Sequence, residues 1–428
     1  MSNRLINLNI MSDRQYRPTE GDFIIRLALT ASVSDLAEVL PLNLCLLIDQ
    51  SSSMLDGDKM ERAKEAAITL IESLQAGDIL SIISFSTTVS VLADKILIAE
   101  EQKRNAINII KSIDSGGVTR MDLGLEKAIE VLTQQKNDYM PVLLMLSDGG
   151  PTDEIGYLLS NEKMNNIRKI ISDVYKNQGI TTSTVGLGDA SQCMAGFLEK
   201  LGEAGGGIFY HSQTAEMLKS QFMEELNRVK STAISDVKFF ISDIHGSIRK
   251  SVAISPDIRE LEKPSIIDNL YVIEGGTLQK GENHVFLFEI ITPSFKDTKK
   301  KLLCKVTMKY MTEGKYFETK GDDLLIEYTD DENLLSKKEH PEVEKYKSMY
   351  MAFIQTQKAV QNMRSGADPK KTQALLQSAS KVTRRLGNTK QTKVLETLIS
   401  KIDSNDVTEN DLTATSVATR KTRVLKDD

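Results

Sequence analysis

The fold of this 428-residue chain is decided by the stretch Leu44-Cys45-Leu46-Leu47-Ile48-Asp49-Gln50-Ser51-Ser52-Ser53. An unbroken apolar run bounded by polar residues predicts a strand that is buried on both faces, as in a parallel sheet covered by helices. A carboxylate and two alternate hydroxyls then emerge together at the carboxyl end of this strand. Open α/β sheets bind their ligands at that edge.

The ligand types of this stretch indicate which metal it would suit. Asp49, Ser51 and Ser53 offer only oxygen atoms, which favours a hard divalent cation such as Mg²⁺ or Mn²⁺. Asp and Ser are also ordinary turn and helix-capping residues, so the string alone is a weak signal. A metal site therefore requires further ligands elsewhere in the chain.

Two other segments supply them. The glycine-rich turn Gly116-Gly117-Val118-Thr119 brings a hydroxyl to the start of an amphipathic helical pattern. A second buried strand, Val142 to Leu146, ends in Ser147-Asp148-Gly149-Gly150. Both segments have the pattern of strand or helix ends at the same edge of a sheet.

With these residues, the chain resembles the von Willebrand factor type A (VWA) family of bacterial type over roughly residues 40 to 230. The metal-ion-dependent adhesion site (MIDAS) of that family uses D-x-S-x-S, a distant Thr and a distant Asp. Ser52 stands where many members have Gly, and Ser147 where many have Thr, but neither change removes a ligand. The pattern falls on five residues of this chain: Asp49, Ser51, Ser53, Thr119 and Asp148.

The resemblance implies a fold and a mode of binding. The fold is a doubly wound, Rossmann-like α/β domain with a mostly parallel sheet. Ser51 and Ser53 would bind Mg²⁺ (alternatively Mn²⁺ or Ca²⁺) directly, with Thr119 direct or through water, while Asp49 and Asp148 would mostly accept hydrogen bonds. A cation held chiefly by neutral hydroxyls seeks an anionic ligand, which an Asp or Glu of a protein partner would supply.

The resulting expectation is a non-enzymatic, metal-dependent protein-binding module, acting in an intracellular signalling or assembly complex. Two alternatives stay open. One is a scaffold whose metal site is structural or internally occupied. The other is a Mg²⁺-dependent hydrolase, a minority reading because none of the four histidines (His211, His245, His284 and His340) falls in the metal-motif segments.

Composition excludes other classes of partner and location. The chain has 54 Lys and Arg against 60 Asp and Glu, a net charge of −6, which argues against nucleic acid as a general partner. No segment approaches 18 apolar residues, so no membrane span is predicted. Three scattered cysteines (Cys45, Cys193 and Cys304) and an N-terminus without a signal-peptide pattern predict buried, reduced thiols in a cytoplasmic protein.

The remaining sequence predicts further domains around residues 41–230. From residue 231 to 332 the hydrophobic period is two, as in Leu302, Cys304, Val306, Met308 and Tyr310, which predicts an antiparallel β-sandwich. Phe23 to Leu29 alternate in the same way, and we expect residues 1–40 to pair with the sandwich. The metal domain would then be inserted in the sandwich.

Residues 333–404 carry apolar residues at helical spacing. Pro341 to Met363 and Lys370 to Ile402, separated by a Gly-Pro breaker, predict a helical hairpin or small bundle. Residues 405–428 are polar and Thr-rich, which predicts a disordered tail. Thr422 lies among basic residues of this tail, where a Ser/Thr kinase could phosphorylate it and a forkhead-associated domain could bind it; a solvated tail without such a role is the alternative.

Overall fold

The computed structural model describes residues 5–35, 37, 40–133, 139–188, 194–212, 220, 223, 227, 231–268, 270–312, 315–337, 339–366, 369–404 and 406–422. The chain divides into two compact units. Unit 2 is Glu38–Thr232, and unit 1 combines Met1–Ala37 with Ala233–Asp428. Along the chain, unit 2 is therefore an insertion between two segments of unit 1.

Unit 2 is an α/β domain built on one six-stranded sheet of order β6-β5-β4-β7-β8-β9. All neighbouring pairs are parallel except β5 with β6, which is antiparallel. The strands are β4 Leu42–Asp49, β5 Ile79–Phe85, β6 Val89–Leu97, β7 Met140–Ser147, β8 Thr181–Leu187 and β9 Gly206–Ser212. The helices are α1 Lys59–Ser73, α2 Glu100–Lys111, α3 Met121–Thr133, α4 Asn161–Gln178 and α5 Ala195–Ala204.

The apolar run Leu44 to Ile48 lies in β4, a central strand of this sheet. Every residue of β4 is buried. Leu44, Leu46 and Ile48 pack in one core cluster with apolar residues of α1 and α2. On α3, Gly124 lies so close to the Phe85 ring that a Cβ there would come within 2.8 Å of it. The continuous run, rather than an alternating one, follows from this burial of both sheet faces.

Unit 1 contains two sheets that enclose a second core. One has the order β1-β3-β15-β11-β12, and the other β13-β14-β10-β16-β18-β2, with β17 paired to β16. The N-terminal strand β3 pairs antiparallel with β15, with Ile25 opposite Ile290. The strands before residue 200 are β1 Ile6–Ser12, β2 Tyr16–Arg17 and β3 Phe23–Val33. The later strands are β10 Thr232–Ser242, β11 Ser247–Ser255, β12 Arg259–Glu260, β13 Ser265–Ile267, β14 Leu270–Gln279, β15 Asn283–Thr292, β16 Lys300–Thr312, β17 Lys315–Lys320 and β18 Leu324–Tyr328.

The C-terminal helices belong to the same unit as the sandwich. They are α6 Glu332–Leu335, α7 Pro341–Arg364, α8 Pro369–Arg385, α9 Thr389–Asp403 and α10 Glu409–Arg420. Val343, Tyr346 and Phe353 of α7 share a core cluster with Ala28 of β3 and Val285 of β15. The predicted boundary at residues 332/333 therefore does not separate two compact units, because one apolar face of α7 is buried on the sandwich.

Of the two alternatives predicted for residues 333–404, the small bundle is the one observed. Residues 370–402 form two helices, since Gly387 adopts a φ of +74° and Asn388 caps the next helix by accepting a hydrogen bond from the Gln391 N–H. The prediction of a disordered tail is wrong for residues 406–422, where α10 begins with a capping box between Thr408 and Asp411. The polar composition was misleading because hydroxyls of α10 can find hydrogen-bond partners within the folded chain, as when Thr419 donates to the Thr415 carbonyl at 2.9 Å.

Within the described residues, no helix combines the length and apolarity needed to cross a membrane. Cys45 and Cys304 are buried free thiols, and burial raises the pKa of both. Cys193 lies outside the described residues.

Candidate functional site

The predicted site residues come from three places at one edge of the unit 2 sheet. Asp49 is the last residue of β4, and Ser51 and Ser53 follow it into a short 3₁₀ turn at Ser52–Leu55. Asp148 directly follows β7, which is the parallel neighbour of β4. Thr119 precedes α3. Because parallel neighbours end at the same edge, the two carboxylates come close together.

Backbone hydrogen bonds hold the Thr119 loop against the Asp49 segment. The Gly116 N–H donates to the Gln50 carbonyl at 2.6 Å, and the Ser52 N–H donates to the Gly117 carbonyl at 2.9 Å. Gly117 has a φ of +89°, and a Cβ there would lie 2.5 Å from Thr87 Oγ1. Glycine is therefore required at residue 117 to bring this loop close.

The polar side chains of the site form one connected network. Ser51 Oγ and Ser53 Oγ lie 3.1 Å apart, and the Ser53 hydroxyl donates to Asp148 Oδ1 at 2.7 Å. The backbone N–H of Ser51 donates to Asp49 Oδ1 at 2.8 Å. These contacts place both predicted serines and both predicted carboxylates in one cluster.

Asp49 is fully buried at the base of this network. The Ser147 hydroxyl, at the end of β7, donates to Asp49 Oδ2 at 2.6 Å. Burial raises the pKa of Asp49 to about 6, although the hydrogen bonds from Ser147 and Ser51 act to lower it. Its two carboxylate oxygens are thus oriented by donors from both β7 and the turn after β4.

Thr119 joins the cluster across Gly149. A Cβ built on Gly149 would lie 3.8 Å from Ser53 Oγ and 3.8 Å from Thr119 Oγ1. The two hydroxyls therefore approach the same point, which the missing Cβ of Gly149 leaves uncovered by a side chain. Hydroxyls and carboxylates around such a point form a donor set suited to a hard divalent cation.

One residue of the site, Lys59, is missing from the sequence prediction. The Lys59 ammonium donates to Asp148 Oδ2 at 2.8 Å and to the Ser53 carbonyl at 3.3 Å, and the residue is buried. A lysine at the start of a helix is normally solvated, so its spacing carried little signal. The available clue was its position six residues after Ser53, close to the motif in sequence.

Histidine, cysteine and further carboxylate ligands do not add to this donor set in the described residues. No group of three or more His, Cys, Asp or Glu side chains that could hold a metal occurs in the part of the chain that the structure describes. His211, the histidine of unit 2, has Nε2 3.0 Å from the Gly188 carbonyl oxygen. Any cation at the candidate site would therefore rely on the hydroxyls together with Asp49 and Asp148.

Thr422, the predicted phosphorylation site, is not part of this cluster and is not exposed. It lies in unit 1 with 2% of its surface accessible. Its hydroxyl donates to the Ile254 carbonyl, and its N–H donates to the Pro256 carbonyl at 2.9 Å. The prediction of a flexible, kinase-accessible threonine is wrong for this folded state, because Thr422 completes backbone pairing beside β11.

Comparison with known proteins agrees with the geometry of unit 2. Residues 43–225 match the family model described as the von Willebrand factor type A domain. An uncharacterized protein of Synechocystis is 32% identical over 245 residues, which cover 55% of this chain and 54% of that protein. Human inter-alpha-trypsin inhibitor heavy chain H2 is 26% identical over 212 residues, 48% of this chain and 21% of the heavy chain. The matched regions thus span about half of the first relative and a fifth of the second.

Solved structures share the fold over nearly the full chain. A von Willebrand factor type A protein from Catenulispora acidiphila aligns with a TM-score of 0.82 at 17% identity, covering 99% of this chain and 98% of the other. The ArnB paralog VWA2 from Sulfolobus acidocaldarius aligns with a TM-score of 0.64 at 18% identity, covering 97% and 98%. Residues 43–225 of the chain therefore form a von Willebrand factor type A domain, and the chain shares its fold, sandwich-and-helix unit included, with these two solved structures.

Proposed function

We propose that this protein is a non-enzymatic binding module that captures an acidic side chain of a protein partner through a divalent cation, most simply Mg²⁺. VWA domains commonly mediate protein–protein interaction and typically bind a divalent metal at the MIDAS. The observation that carries the proposal is the grouping of three hydroxyls: Ser53 Oγ lies 3.1 Å from Ser51 Oγ, and the Ser53 and Thr119 hydroxyls each lie 3.8 Å from the Cβ position of Gly149.

The donor set explains why a bound cation would recruit a carboxylate. Ser51 and Ser53 are neutral donors, and Asp148 is already engaged by Ser53 and Lys59. When bound, the cation would supply electrophilic attraction for an anionic oxygen. The chain's own residues would orient the hydroxyls and hold the two carboxylates in fixed positions.

Apolar side chains beside the site support a protein as the partner. We define the apolar rim as Ile155, Tyr157 and Leu158, all exposed on one loop, with Ile155 at 72% and Tyr157 at 71% accessibility. Exposed apolar side chains that are grouped together indicate an interaction surface. The partner would then present an Asp or Glu with an apolar side chain next to it.

Hydrogen bonds fix the rim next to the site. The N–H of Thr119 donates to Thr152 Oγ1 at 2.9 Å, and the Thr152 N–H donates to the Thr119 carbonyl at 2.8 Å. Asp153 Oδ1 accepts from the N–H groups of Ile155 and Tyr157 at 3.0 and 2.9 Å. The loop bearing the rim is thus ordered without a partner, which lowers the entropic cost of binding.

Affinity capture tests this function. Wild-type protein and the Ser53→Ala variant serve as bait in lysate of the source cell, with Mg²⁺ or with chelator, and Ser52→Ala is the matched control because Ser52 is exposed. The same protein should be captured by wild type and Ser52→Ala only when Mg²⁺ is present. Capture that survives both chelator and Ser53→Ala would favour the scaffold reading instead.

Two further experiments test whether the apolar rim contacts the partner and whether the protein is an enzyme. Tyr157→Ser should weaken capture without changing Mg²⁺ affinity, whereas Leu97→Ser, an exposed apolar residue on edge strand β6, should not. Phosphatase or nuclease turnover that requires Mg²⁺ and disappears in Ser53→Ala would instead make the protein a hydrolase.

A cytoplasmic location completes the proposal. Cys45 and Cys304 are buried free thiols, which suits a reducing compartment. Fractionation of the source cell should place the protein with cytoplasmic markers; recovery outside the cell would contradict this location.

A further inference from the structure

Two hydrogen bonds fix the Lys59 ammonium within the candidate site. Its ammonium donates to Asp148 Oδ2 at 2.8 Å and to the Ser53 carbonyl at 3.3 Å, while the Ser53 hydroxyl donates to Asp148 Oδ1. The Lys59 side chain is only 9% exposed. Both oxygens of Asp148 are therefore engaged by residues of the segment that follows β4.

The residue directly after β8, Gly188, lies against the Lys59 side chain. Gly188 has a φ of +88°, and a Cβ there would come within 2.9 Å of Lys59 Cε. The Gly188 carbonyl oxygen also lies 3.0 Å from His211 Nε2. A Cβ at residue 188 would force the lysine stem to shift, and the positive φ also favours glycine there, so the position of the ammonium depends on the end of β8 as well as on that of β7.

The charge of the site follows from three side chains, those of Asp49, Asp148 and Lys59. Their formal charges sum to −2 + 1 = −1. A divalent cation changes this to +1, which one partner carboxylate neutralises. Without Lys59 the same cation gives −2 + 2 = 0, and a neutral site attracts an anion less strongly.

We propose that Lys59 sets the charge of the cation site, weakening divalent-cation binding while leaving the bound cation an excess of positive charge for one partner carboxylate. This inference rests on the proposed function. It assigns to Lys59 a positioning and specificity role, since Lys59 acts on Asp148 and through the local field. The lysine lowers affinity for the metal and raises affinity for the partner.

Two substitutions test the opposing effects. Lys59→Met removes the charge and keeps a side chain of similar length. Lys59→Gln also removes the charge but keeps an N–H donor for Ser53 and Asp148, so it can be measured if the Met variant does not fold. Lys64→Met is the matched control, because Lys64 is on the same helix and pairs with Glu61 on the surface.

The readouts are Mn²⁺ affinity by calorimetry and acetate affinity by the proton relaxation that protein-bound Mn²⁺ induces. Removing the charge should tighten Mn²⁺ binding at least about tenfold and weaken acetate binding to the Mn²⁺-loaded protein about tenfold. A purely structural role would weaken both, and that result would overturn the inference. So would an Mn²⁺ affinity that equals wild type in the Met and Gln variants.

The metal titration separates this inference from the proposed function. If wild type binds Mn²⁺ but Mn²⁺ induces no acetate relaxation, carboxylate capture is wrong and the charge inference falls with it. If acetate binds the Mn²⁺-loaded wild type equally well with and without Lys59, carboxylate capture stands and the role of Lys59 alone is wrong.

Discussion

The Ser147 hydroxyl donates a 2.6 Å hydrogen bond to Asp49 Oδ2 and thereby ties the end of β7 to the end of β4 beneath the candidate cation site. Both residues are buried, with Asp49 and Ser147 at 0% accessibility. A buried carboxylate depends on such donors, because it has lost its hydration. This single bond therefore supports both the sheet edge and the orientation of a site carboxylate.

Removing that donor should destabilise unit 2. We expect Ser147→Ala to lower the free energy of unfolding by about 1–3 kcal/mol, since it leaves a buried carboxylate oxygen with one donor fewer. The measurement is urea denaturation without metal. Ser147→Thr is the control that keeps the hydroxyl, and an Ala variant as stable as the Thr variant would show that the bond contributes nothing.

Divalent cations should stabilise the folded protein through the hydroxyls. Wild type and Ser52→Ala should gain thermal stability with Mg²⁺ or Mn²⁺, by about 2.7 kcal/mol at a metal concentration 100 times the dissociation constant. Ser53→Ala should lose most of this gain because it removes one direct hydroxyl ligand. Thermal melts with and without chelator measure the gain in stability. An equal gain in Ser53→Ala would show that the cation binds at a different site.

His284 should make stability fall at acid pH. It is buried, its Nε2 accepts a 2.8 Å hydrogen bond from the Gln279 N–H, and burial lowers its pKa from 6.5 to about 4. Between these two values the unfolded chain binds a proton that the native state does not. Stability should therefore decrease as pH falls from 6.5 towards 4, by about 3 kcal/mol in total from this group.

Denaturation of wild type and His284→Gln at pH 7.5 and pH 4.5 measures this loss. The glutamine variant should start less stable but lose less on acidification. His340→Gln is the control for a more exposed histidine. If His284→Gln and wild type lose the same stability, other groups cause the acid sensitivity.

Phosphorylation of Thr422 should conflict with the folded state. Its hydroxyl donates to the Ile254 carbonyl in a site with 2% accessibility, so a negative charge there would be buried against carbonyl oxygens. We expect Thr422→Glu to cost about 2 kcal/mol or more, whereas Thr397→Glu on the exposed face of α9 should cost little. Urea denaturation and limited proteolysis of the C-terminal segment compare the two.

A bacterial Ser/Thr kinase should correspondingly leave Thr422 unmodified in the native protein. Intact-mass analysis after co-expression checks this, with peptide mapping to locate any phosphate. Stoichiometric phosphate at Thr422 in protein as stable as wild type would show that the C-terminal segment opens readily, and would revive a forkhead-associated partner.

Local sequence determined much of the domain and most of the site. The unbroken run Leu44 to Ile48 specifies a two-sided buried strand, because only such a strand tolerates apolar residues at every position. Asp49, Ser51 and Ser53 follow it directly, and the resemblance added Thr119 and Asp148. Likewise the alternation from Leu302 to Tyr310 indicated a sheet with one wet face, since side chains alternate along any strand.

Only the tertiary structure decided the contacts between distant segments. Lys59 meets Asp148 because Gly188, at the end of a third strand, leaves space for its side chain. The C-terminal segment is ordered because Thr422 and Gln391 pair with groups remote in sequence. Periodicity describes one face of one element, whereas burial of a lysine or a threonine depends on which other element supplies its hydrogen bonds.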